Sequence, residues 1–228
     1  MNAAYPAPPT CTKLPIAIEF VGPAGVGKTT LIGALERQPG VSSGVRPSGR
    51  DYLPFLVKDA PLLVPAAAAG WVSGERFLER ERRSIGYLRA WYEALGNAPS
   101  ATTYLDHGPV FRLALLREFG SPPTKHPLFR RWWLRMLEQW ATRLTLIVWL
   151  DAPDAVLIGR INARDEDHLF KGKDEGETLE FLKRFRYAYR EVITTITAGN
   201  GPKLLHLNTH ETPLDVAAAE VLAAYRSL

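Results

Sequence analysis

One octapeptide near the start of the chain carries the clearest chemical signal. It matches the pattern GxxxxGK[ST] and consists of Gly22, Pro23, Ala24, Gly25, Val26, Gly27, Lys28 and Thr29. Glycines in this pattern let the backbone curl around a phosphate, so that successive N–H groups point at the anion. In such a loop the Lys28 ammonium reaches the β- and γ-phosphates, and the Thr29 hydroxyl binds Mg²⁺. The pattern therefore predicts a binding site for a nucleoside triphosphate.

The segments that flank this octapeptide fit the same interpretation. Residues 16–21 are predicted to form a short buried strand, and residues 29–35 the first turns of a helix. A helix N-terminus adds positive potential, equivalent to about half a unit charge, which attracts phosphate. We therefore add Thr30, the next residue on that helix, to the predicted nucleotide site. The alternative, a glycine-rich turn that binds nothing, leaves this order of strand, loop and helix unexplained.

Composition narrows the class of protein. The chain has 228 residues, of which 46% are apolar and 23% are charged, as in ordinary globular proteins. Its net charge of +4 suits the binding of anionic small molecules but is too small to indicate nucleic-acid binding. Its one cysteine, Cys11, excludes a disulfide within the chain and favours a reducing, cytoplasmic location. No apolar segment reaches the roughly 18 residues of a membrane span, and prolines interrupt the longest candidate, residues 60–72. Residues 1–14 are predicted to be a disordered proline-rich tail, and residues 15–228 one domain.

Strand-like and helix-like segments alternate after the phosphate loop. Strands are predicted at residues 102–105, 144–150 and 204–207, and helices at residues 77–95, 154–164 and 177–197. This alternation predicts an α/β fold with a parallel sheet and helices on both faces. Ligands in such folds bind at the carboxyl ends of the strands, where Asp106 and Asp151 fall. For Asp151 a second interpretation, a strand-to-helix turn, fits better.

The order of these features resembles the thymidylate kinase branch of the P-loop kinases, over about residues 16–207. The resemblance rests on the phosphate loop, an arginine-bearing helix, the strand ending at Asp106, the segment Val-Trp-Leu-Asp-Ala-Pro at 148–153, and two arginines before a polar loop. It implies a P-loop three-layer α/β/α fold with a parallel five-stranded sheet and a lid at about residues 160–176. It further implies a kinase that uses ATP and Mg²⁺ and phosphorylates a small molecule such as a nucleoside or nucleotide.

The resemblance also implies roles for individual side chains. At the place of Asp106 the family has a carboxylate that organises Mg²⁺ and the attacking oxygen, so Asp106 is predicted to be catalytic and a metal ligand. The family carries an arginine where this chain has His107, which puts thymidylate as the acceptor in doubt. We assign His107 to the acceptor site, either as a general base or as a hydrogen-bonded residue without a chemical role. Arg80 or Arg83, on one face of a helix, is predicted to grip an anionic group of the acceptor, the alternative being a solvated charged face.

Arg160 and Arg164 lie one helical turn apart at the entrance to the predicted lid. Cations at that place neutralise the charge that spreads over a transferring phosphoryl group. We therefore predict both arginines to be catalytic, the alternative being an exposed loop of mixed charge. A polar loop that closes over ATP would also exclude water from the reaction.

The helix at residues 130–142 is rich in tryptophan, with Trp132, Trp133 and Trp140. Its pattern favours either the core or a contact between two copies of the chain, and the second choice suggests a homodimer. Two other functions remain open. A GTPase is disfavoured because the guanine-binding motif is missing. A nucleotide-binding accessory or regulatory ATPase without kinase activity is the stronger alternative.

Overall fold

A parallel five-stranded sheet forms the centre of the protein. The computed structural model describes residues 16–37, 41–43, 53–72, 74–97, 102–164 and 170–227, so the predicted tail at 1–14 and lid residues 165–169 lie outside the described residues. The strands are β1 (Ala17–Val21), β2 (Val41–Ser43), β3 (Thr102–Asp106), β4 (Leu146–Asp151) and β5 (Lys203–Asn208). They lie in the order β2-β3-β1-β4-β5, and every pair is parallel. The predicted fold class is confirmed, with β2 as a three-residue strand at the edge.

Helices pack on both faces of this sheet. They are α1 (Lys28–Glu36), α2 (Leu53–Lys58), α3 (Ala60–Val72), α4 (Glu79–Asn97), α5 (Pro109–Glu118), α6 (Pro127–Ala141), α7 (Asp154–Asn162), α8 (Glu175–Ile196) and α9 (Leu214–Arg226). On one face α3, α4, α5, α6 and most of α8 enclose a large apolar core. On the other face α1, α7 and α9 enclose a second core. The strand β1 is central to both, because it lies between β3 and β4.

The tryptophan-rich helix is part of the larger core. The side chains of Trp132, Trp133 and Trp140 on α6 are 0%, 4% and 0% exposed. The Trp133 ring N–H donates a hydrogen bond to the carbonyl of Leu113 on α5, at 3.0 Å. The core interpretation of this helix is therefore confirmed, and these rings are not available for a contact between subunits. A homodimer stays a prediction.

Among the described residues, hydrophobic spacing alone did not predict the helices α2, α3 and α5. Residues 60–72 form α3 in spite of Pro65, and several of its apolar side chains remain exposed, among them Trp71 at 68%. The helix α5 begins at Pro109, whose missing N–H costs nothing at the first helical position. Within the described ranges of the chain, no helix combines the length and apolar character needed to cross a bilayer.

Candidate active site

The phosphate loop connects the end of β1 to the start of α1, as predicted. A Cβ atom at Gly22 would lie 2.2 Å from the carbonyl oxygen of Leu150, so the loop passes β4 too closely for any side chain. Gly27 directly precedes α1 with a φ of 95°, which favours glycine. The Lys28 ammonium folds back over the loop and donates to the carbonyls of Gly22 and Pro23, at 2.8 and 3.1 Å. The loop is thus shaped for a phosphate chain in the structure itself.

Burial changes the titration of the lysine in this loop. Burial, together with the positive charge of Arg164, lowers the pKa of Lys28 to about 8. The Asp106 carboxylate acts in the opposite direction and raises that pKa. A polyanion bound nearby would stabilise the charged form of this buried ammonium, because its phosphates would add negative charge to that of the single carboxylate.

The carboxyl end of β3 brings Asp106 next to the helix that follows the phosphate loop. Its Oδ2 lies 3.5 Å from the Thr29 hydroxyl, and its Oδ1 is buried and accepts no hydrogen bond from the described residues. Magnesium prefers oxygen ligands, and in phosphate-transfer sites it takes a carboxylate or two together with phosphate oxygens and water. The hydroxyl of Thr29 and the unused oxygen of Asp106 therefore fit this ion. In the described part of the chain, this site included, no three His, Cys, Asp or Glu side chains gather as a metal site.

His107 lies at the rim of the phosphate loop in an unusual backbone conformation. Its φ is 55°, in the left-handed region that non-glycine residues seldom occupy and that is enriched at functional sites. Its Nδ1 lies 3.5 Å from Oδ1 of Asp106, and its ring packs edge-on against Phe111 with centroids 4.6 Å apart. About half of its side chain is exposed. This half-exposed position beside the phosphate loop is compatible with the predicted acceptor site.

The two arginines near the predicted lid occupy different places. Arg164 lines a cleft together with Lys28, Thr29 and His107, so its charge faces the phosphate end of the site. Arg160 instead donates to the hydroxyl and the carbonyl of Thr209, both at 3.0 Å. This ties α7 to the loop after β5, beside a cleft that Arg160 and Thr209 also line. Both arginines line a cleft of about 350 Å³, and Arg164 also lines the smaller cleft beside Lys28, Thr29 and His107.

The two arginines of α4 also differ. Arg80 donates to the carbonyl of Phe119 at 3.0 Å and lines a cavity between α4, α5 and α8. Arg83 is exposed, and its Nε lies 3.3 Å from the Glu79 carboxylate, one turn earlier on the same helix. The structure brings Arg80, but not Arg83, to a cavity.

Asp151 serves the structure of the turn after β4. One of its oxygens accepts a hydrogen bond from the Ala152 N–H at 2.8 Å, and both lie 3.0 Å from Nε of Arg186 on α8. Arg186 also contacts Asp154 and the carbonyl of Ala152. The strand-to-helix interpretation of Asp151 is therefore the one that the contacts support.

Clefts open on both sides of the phosphate loop. On the α1, α7 and α9 side a cleft of about 350 Å³ is lined by Gly25, Val26, Gly27, Thr30, Leu31, Arg160, Arg164, Thr209, Thr212, Leu214 and Ala217. On the α5 and α8 side a cavity of about 210 Å³ is lined by Gly22, Pro23, Ala24, Lys28, His107, Phe111, Phe181, Phe185 and Tyr189. Phe181 and Phe185 also line a neighbouring cavity of about 460 Å³. The loop thus separates a cleft of mixed polar and apolar lining from one with aromatic walls.

Several residues of this site were missed by sequence reasoning. Glu19 is completely buried in β1, Tyr189 is buried beside the phosphate loop, and Phe181 and Phe185 belong to a helix that was assigned only a packing role. Burial, with the nearby negative charges of Glu19 and Asp106, raises the pKa of Tyr189, so its phenol stays neutral. Only Glu19 left a signal in the sequence, because a carboxylate inside an apolar strand requires partners.

The fold and this loop are those of a P-loop protein, and several solved structures share the fold. Deoxyadenosine kinase from M. mycoides, with dCMP and a flexible dCDP bound, is 12% identical, with a TM-score of 0.54 over 93% of this chain and 100% of that one. The same kinase with bound dATP gives 15% identity, a TM-score of 0.52, and coverage of 92% and 100%. The YorR protein of Bacillus subtilis, in complex with phosphorylated GDP, is 13% identical, with a TM-score of 0.52 over 92% and 95%.

These likenesses establish the fold, which is that of the P-loop nucleoside kinases. It is the fold that the resemblance to the thymidylate kinase branch implied. No protein-family model matches the sequence, and no curated protein does.

Proposed function

We propose that this protein is an ATP- and Mg²⁺-dependent kinase that transfers the γ-phosphoryl group to a nucleoside, a nucleotide or a related small molecule. The observation that carries the proposal is the placement of charge at the end of the phosphate loop. Lys28, Arg164 and Thr29 line one cleft, and the Asp106 carboxylate lies 3.5 Å from the Thr29 hydroxyl, so these groups would surround a γ-phosphate bound there. Phosphoryl transfer needs this kind of positioning and charge neutralisation more than it needs covalent help.

Each side chain has a specific task in this proposal. The loop amides and Lys28 hold the phosphate chain, while Thr29 and Asp106 would hold Mg²⁺, which neutralises phosphate charge when it is bound. Arg164 stabilises the charge on the phosphoryl oxygens during transfer. His107, across the loop, contacts the acceptor hydroxyl or its neighbouring group. Arg160 contributes indirectly, because it fixes the wall of the nucleotide cleft through Thr209.

The acceptor is proposed to bind on the aromatic side of the loop. Phe111 and Phe185 are stacked in parallel, with centroids 6.1 Å apart, and Phe181 packs against Phe185 at 4.7 Å. Aromatic walls of this kind favour a flat ring, such as a nucleobase. Arg80, Glu177, Glu180 and Arg184 line the far cavity and would supply polar contacts to the edge of that ring. We extend the proposal to a cytoplasmic enzyme that binds neither nucleic acid nor membrane, as expected from composition.

A coupled assay of ADP formation tests the proposal. The protein is incubated with Mg²⁺, ATP and, one at a time, nucleosides and nucleoside monophosphates of each base. We expect one class of acceptor to stimulate ADP formation, Lys28→Ala to abolish it, and Arg82→Ala to leave it unchanged, since Arg82 is exposed and pairs with Glu79. ATP turnover that no acceptor stimulates would contradict the kinase proposal.

A regulatory or accessory ATPase is the second candidate. It is favoured by His107, which stands where the resembling family has an arginine. Arg164→Ala distinguishes the two, because a kinase would lose its phosphorylated product, whereas an adaptor that only binds ATP would keep its affinity and its biological effect.

A further inference from the structure

A buried carboxyl group lies beneath the turn that carries Asp106 and His107. It belongs to Glu19, in the middle of the central strand β1, and its side chain is 0% exposed. Charged side chains are almost never fully buried unless they are paired. The proposed reaction assigns Glu19 no part, so its partners show what it does.

Glu19 caps the helix α5. Its two oxygens accept hydrogen bonds from the backbone N–H groups of Val110, at 2.8 Å, and Phe111, at 3.0 Å. The backbone N–H groups in the first turn of a helix have no hydrogen-bond partners within the helix. In α5, Pro109 has no N–H group, and the Arg112 N–H donates to the carbonyl of Gly108. Gly108 precedes the helix without a side chain that could cap it. Glu19 therefore satisfies the free donors of α5 from a different strand.

The turn before α5 rests directly on this carboxyl group. A Cβ atom at Gly108 would lie 2.8 Å from Cδ and 3.0 Å from Oε1 of Glu19. The preceding residue, His107, holds a left-handed conformation, which persists only when the surroundings fix it. The two hydrogen bonds and the contact at Gly108 provide that fixation.

This turn carries functional groups at both of its ends. Asp106 lies one residue before His107 and reaches within 3.5 Å of the Thr29 hydroxyl. Phe111, whose N–H is bonded to Glu19, lines the acceptor-side cavity and packs against the His107 ring. A shift of the turn would therefore move the Asp106 carboxylate away from Thr29.

We propose that Glu19 is a positioning residue that holds Asp106 against Thr29 and so sets the affinity of the site for Mg²⁺ in the presence of nucleotide. This inference rests on the proposed function, since it concerns the same Mg²⁺ and ATP. Glu19 does not touch the metal or the phosphates in this scheme. It acts through the turn.

The chemistry of the group explains why a carboxyl is used. Burial raises the pKa of Glu19 to about 8, while the N–H groups of Val110 and Phe111 and the charge of Arg112 lower it and Asp106 raises it. Tyr189 on α8 also faces it. A carboxyl group has oxygen at both positions and can accept from two N–H groups, whereas a glutamine amide would turn an NH₂ toward one of them. Glu19→Gln therefore keeps the size of the side chain and breaks one bond to the turn.

The test is a magnesium titration of nucleotide binding. Binding of a fluorescent ATP analogue is measured with EDTA and then at increasing Mg²⁺, for the wild type, Glu19→Gln and Glu81→Gln. Glu81 is a matched control, because it is also buried and accepts hydrogen bonds from the Leu78 N–H and from the N–H and hydroxyl of Ser121, away from the phosphate loop. Thermal stability of all three proteins is measured in parallel.

We expect Glu19→Gln to need roughly 10- to 100-fold more Mg²⁺ for half-saturation, the usual cost of losing a residue that orients a metal ligand. Its affinity for the analogue in EDTA should stay within about threefold of wild type, because the phosphate loop itself is intact. Glu81→Gln should lose thermal stability but keep the wild-type dependence on Mg²⁺.

Any of three results would overturn the inference, and a fourth would overturn the proposed function. A wild-type dependence on Mg²⁺ in Glu19→Gln refutes the role of Glu19, as does an equal shift in Glu81→Gln. If Glu19→Gln does not fold, Gly108→Ala replaces it, since its Cβ would push the turn off the same carboxyl, and an unchanged Mg²⁺ dependence then refutes the inference. A wild-type protein that fails to bind the analogue at all refutes the proposed function itself.

Discussion

The two sides of the phosphate loop are built on different principles. On the proposed nucleotide side, the glycine-rich loop and the start of α1 are consecutive in the chain, and Arg160, Arg164 and the segment from Thr209 to Ala217 complete the cleft. The acceptor side consists of aromatic rings from α5 and α8, brought together from distant parts of the chain. The phosphate loop is thus a local feature of the chain, whereas the aromatic cavity depends on how α5 and α8 pack.

The largest effect expected tests whether the phosphate end of the nucleotide side is catalytic. Arg164→Ala should reduce kcat by about 10³-fold, because the positive charge near the transferring group is lost. Arg160→Ala should mainly raise the KM for ATP, since its guanidinium is bound to Thr209. Steady-state kinetics with the identified acceptor separate the two, and equal losses of kcat would show that the structural distinction between them has no functional meaning.

The next effect is the pH dependence of the free energy of unfolding. It compares Lys28 in the phosphate loop with Glu19 beneath the turn that precedes α5. Burial raises the pKa of Glu19 from 4.5 to about 8. Between these pH values Glu19 is protonated in the folded state but ionised in the unfolded state. The free energy of unfolding therefore falls as pH rises from 4.5 to 8. Burial lowers the pKa of Lys28 from 10.5 to about 8, so that group raises the free energy of unfolding between pH 8 and 10.5.

Urea unfolding at a series of pH values checks both signs. Each group contributes a slope of at most about 1.4 kcal/mol per pH unit in its own range. Glu19→Gln should flatten the curve below pH 8, and Lys28→Met should flatten it above. A curve whose acid branch is unchanged in Glu19→Gln would show that this carboxyl titrates normally.

A third effect addresses the link between the two sides. Arg186 on α8 binds Asp151 and Asp154 next to α7, so one guanidinium connects the acceptor-side helix to the nucleotide side. Arg186→Ala should lower the free energy of unfolding by about 2 kcal/mol, because charged hydrogen bonds are lost in a mostly buried place. Arg117→Ala is the control, since its exposed pair with Glu191 should contribute less than about 1 kcal/mol. Urea denaturation measures both, and equal losses would argue against the link.

The smallest effect tests the aromatic wall of the acceptor side. The Phe181 ring stacks on Phe170, with centroids 3.9 Å apart, and contacts Phe185. Phe181→Ala should raise the KM for the acceptor roughly three- to tenfold, as expected for loss of one aromatic contact, and leave the KM for ATP unchanged. Phe77→Ala, which removes a ring packed on Phe129 instead, should change neither KM. If Phe181→Ala raised only the KM for ATP, the aromatic cleft would be the nucleotide site, and the proposed assignment of the two clefts would be wrong.

Much of the fold and part of the site could be predicted before the structure. The phosphate loop, the strand ending at Asp106 and the alternation of strands and helices were all visible, because each depends on short-range pattern. Arg160 and Arg164 could not be told apart, since spacing places both on one helix and says nothing of Thr209, which lies far along the chain. For the same reason the sequence could not decide whether the tryptophan-rich helix lies in the core or at a contact between two copies of the chain. The burial of its tryptophan side chains shows that it belongs to the core.

The phosphate loop was fixed by local chemistry, since its glycines, Lys28 and Thr29 act within a few residues of one another. The remainder of the site depends on contacts across the sheet. Glu19 lies 91 residues before Val110, whose N–H it binds, and only the pairing of β1 with β3 makes that bond possible. Local pattern can place a carboxylate at the end of a strand, but the energy that holds it in position comes from residues that folding brings together.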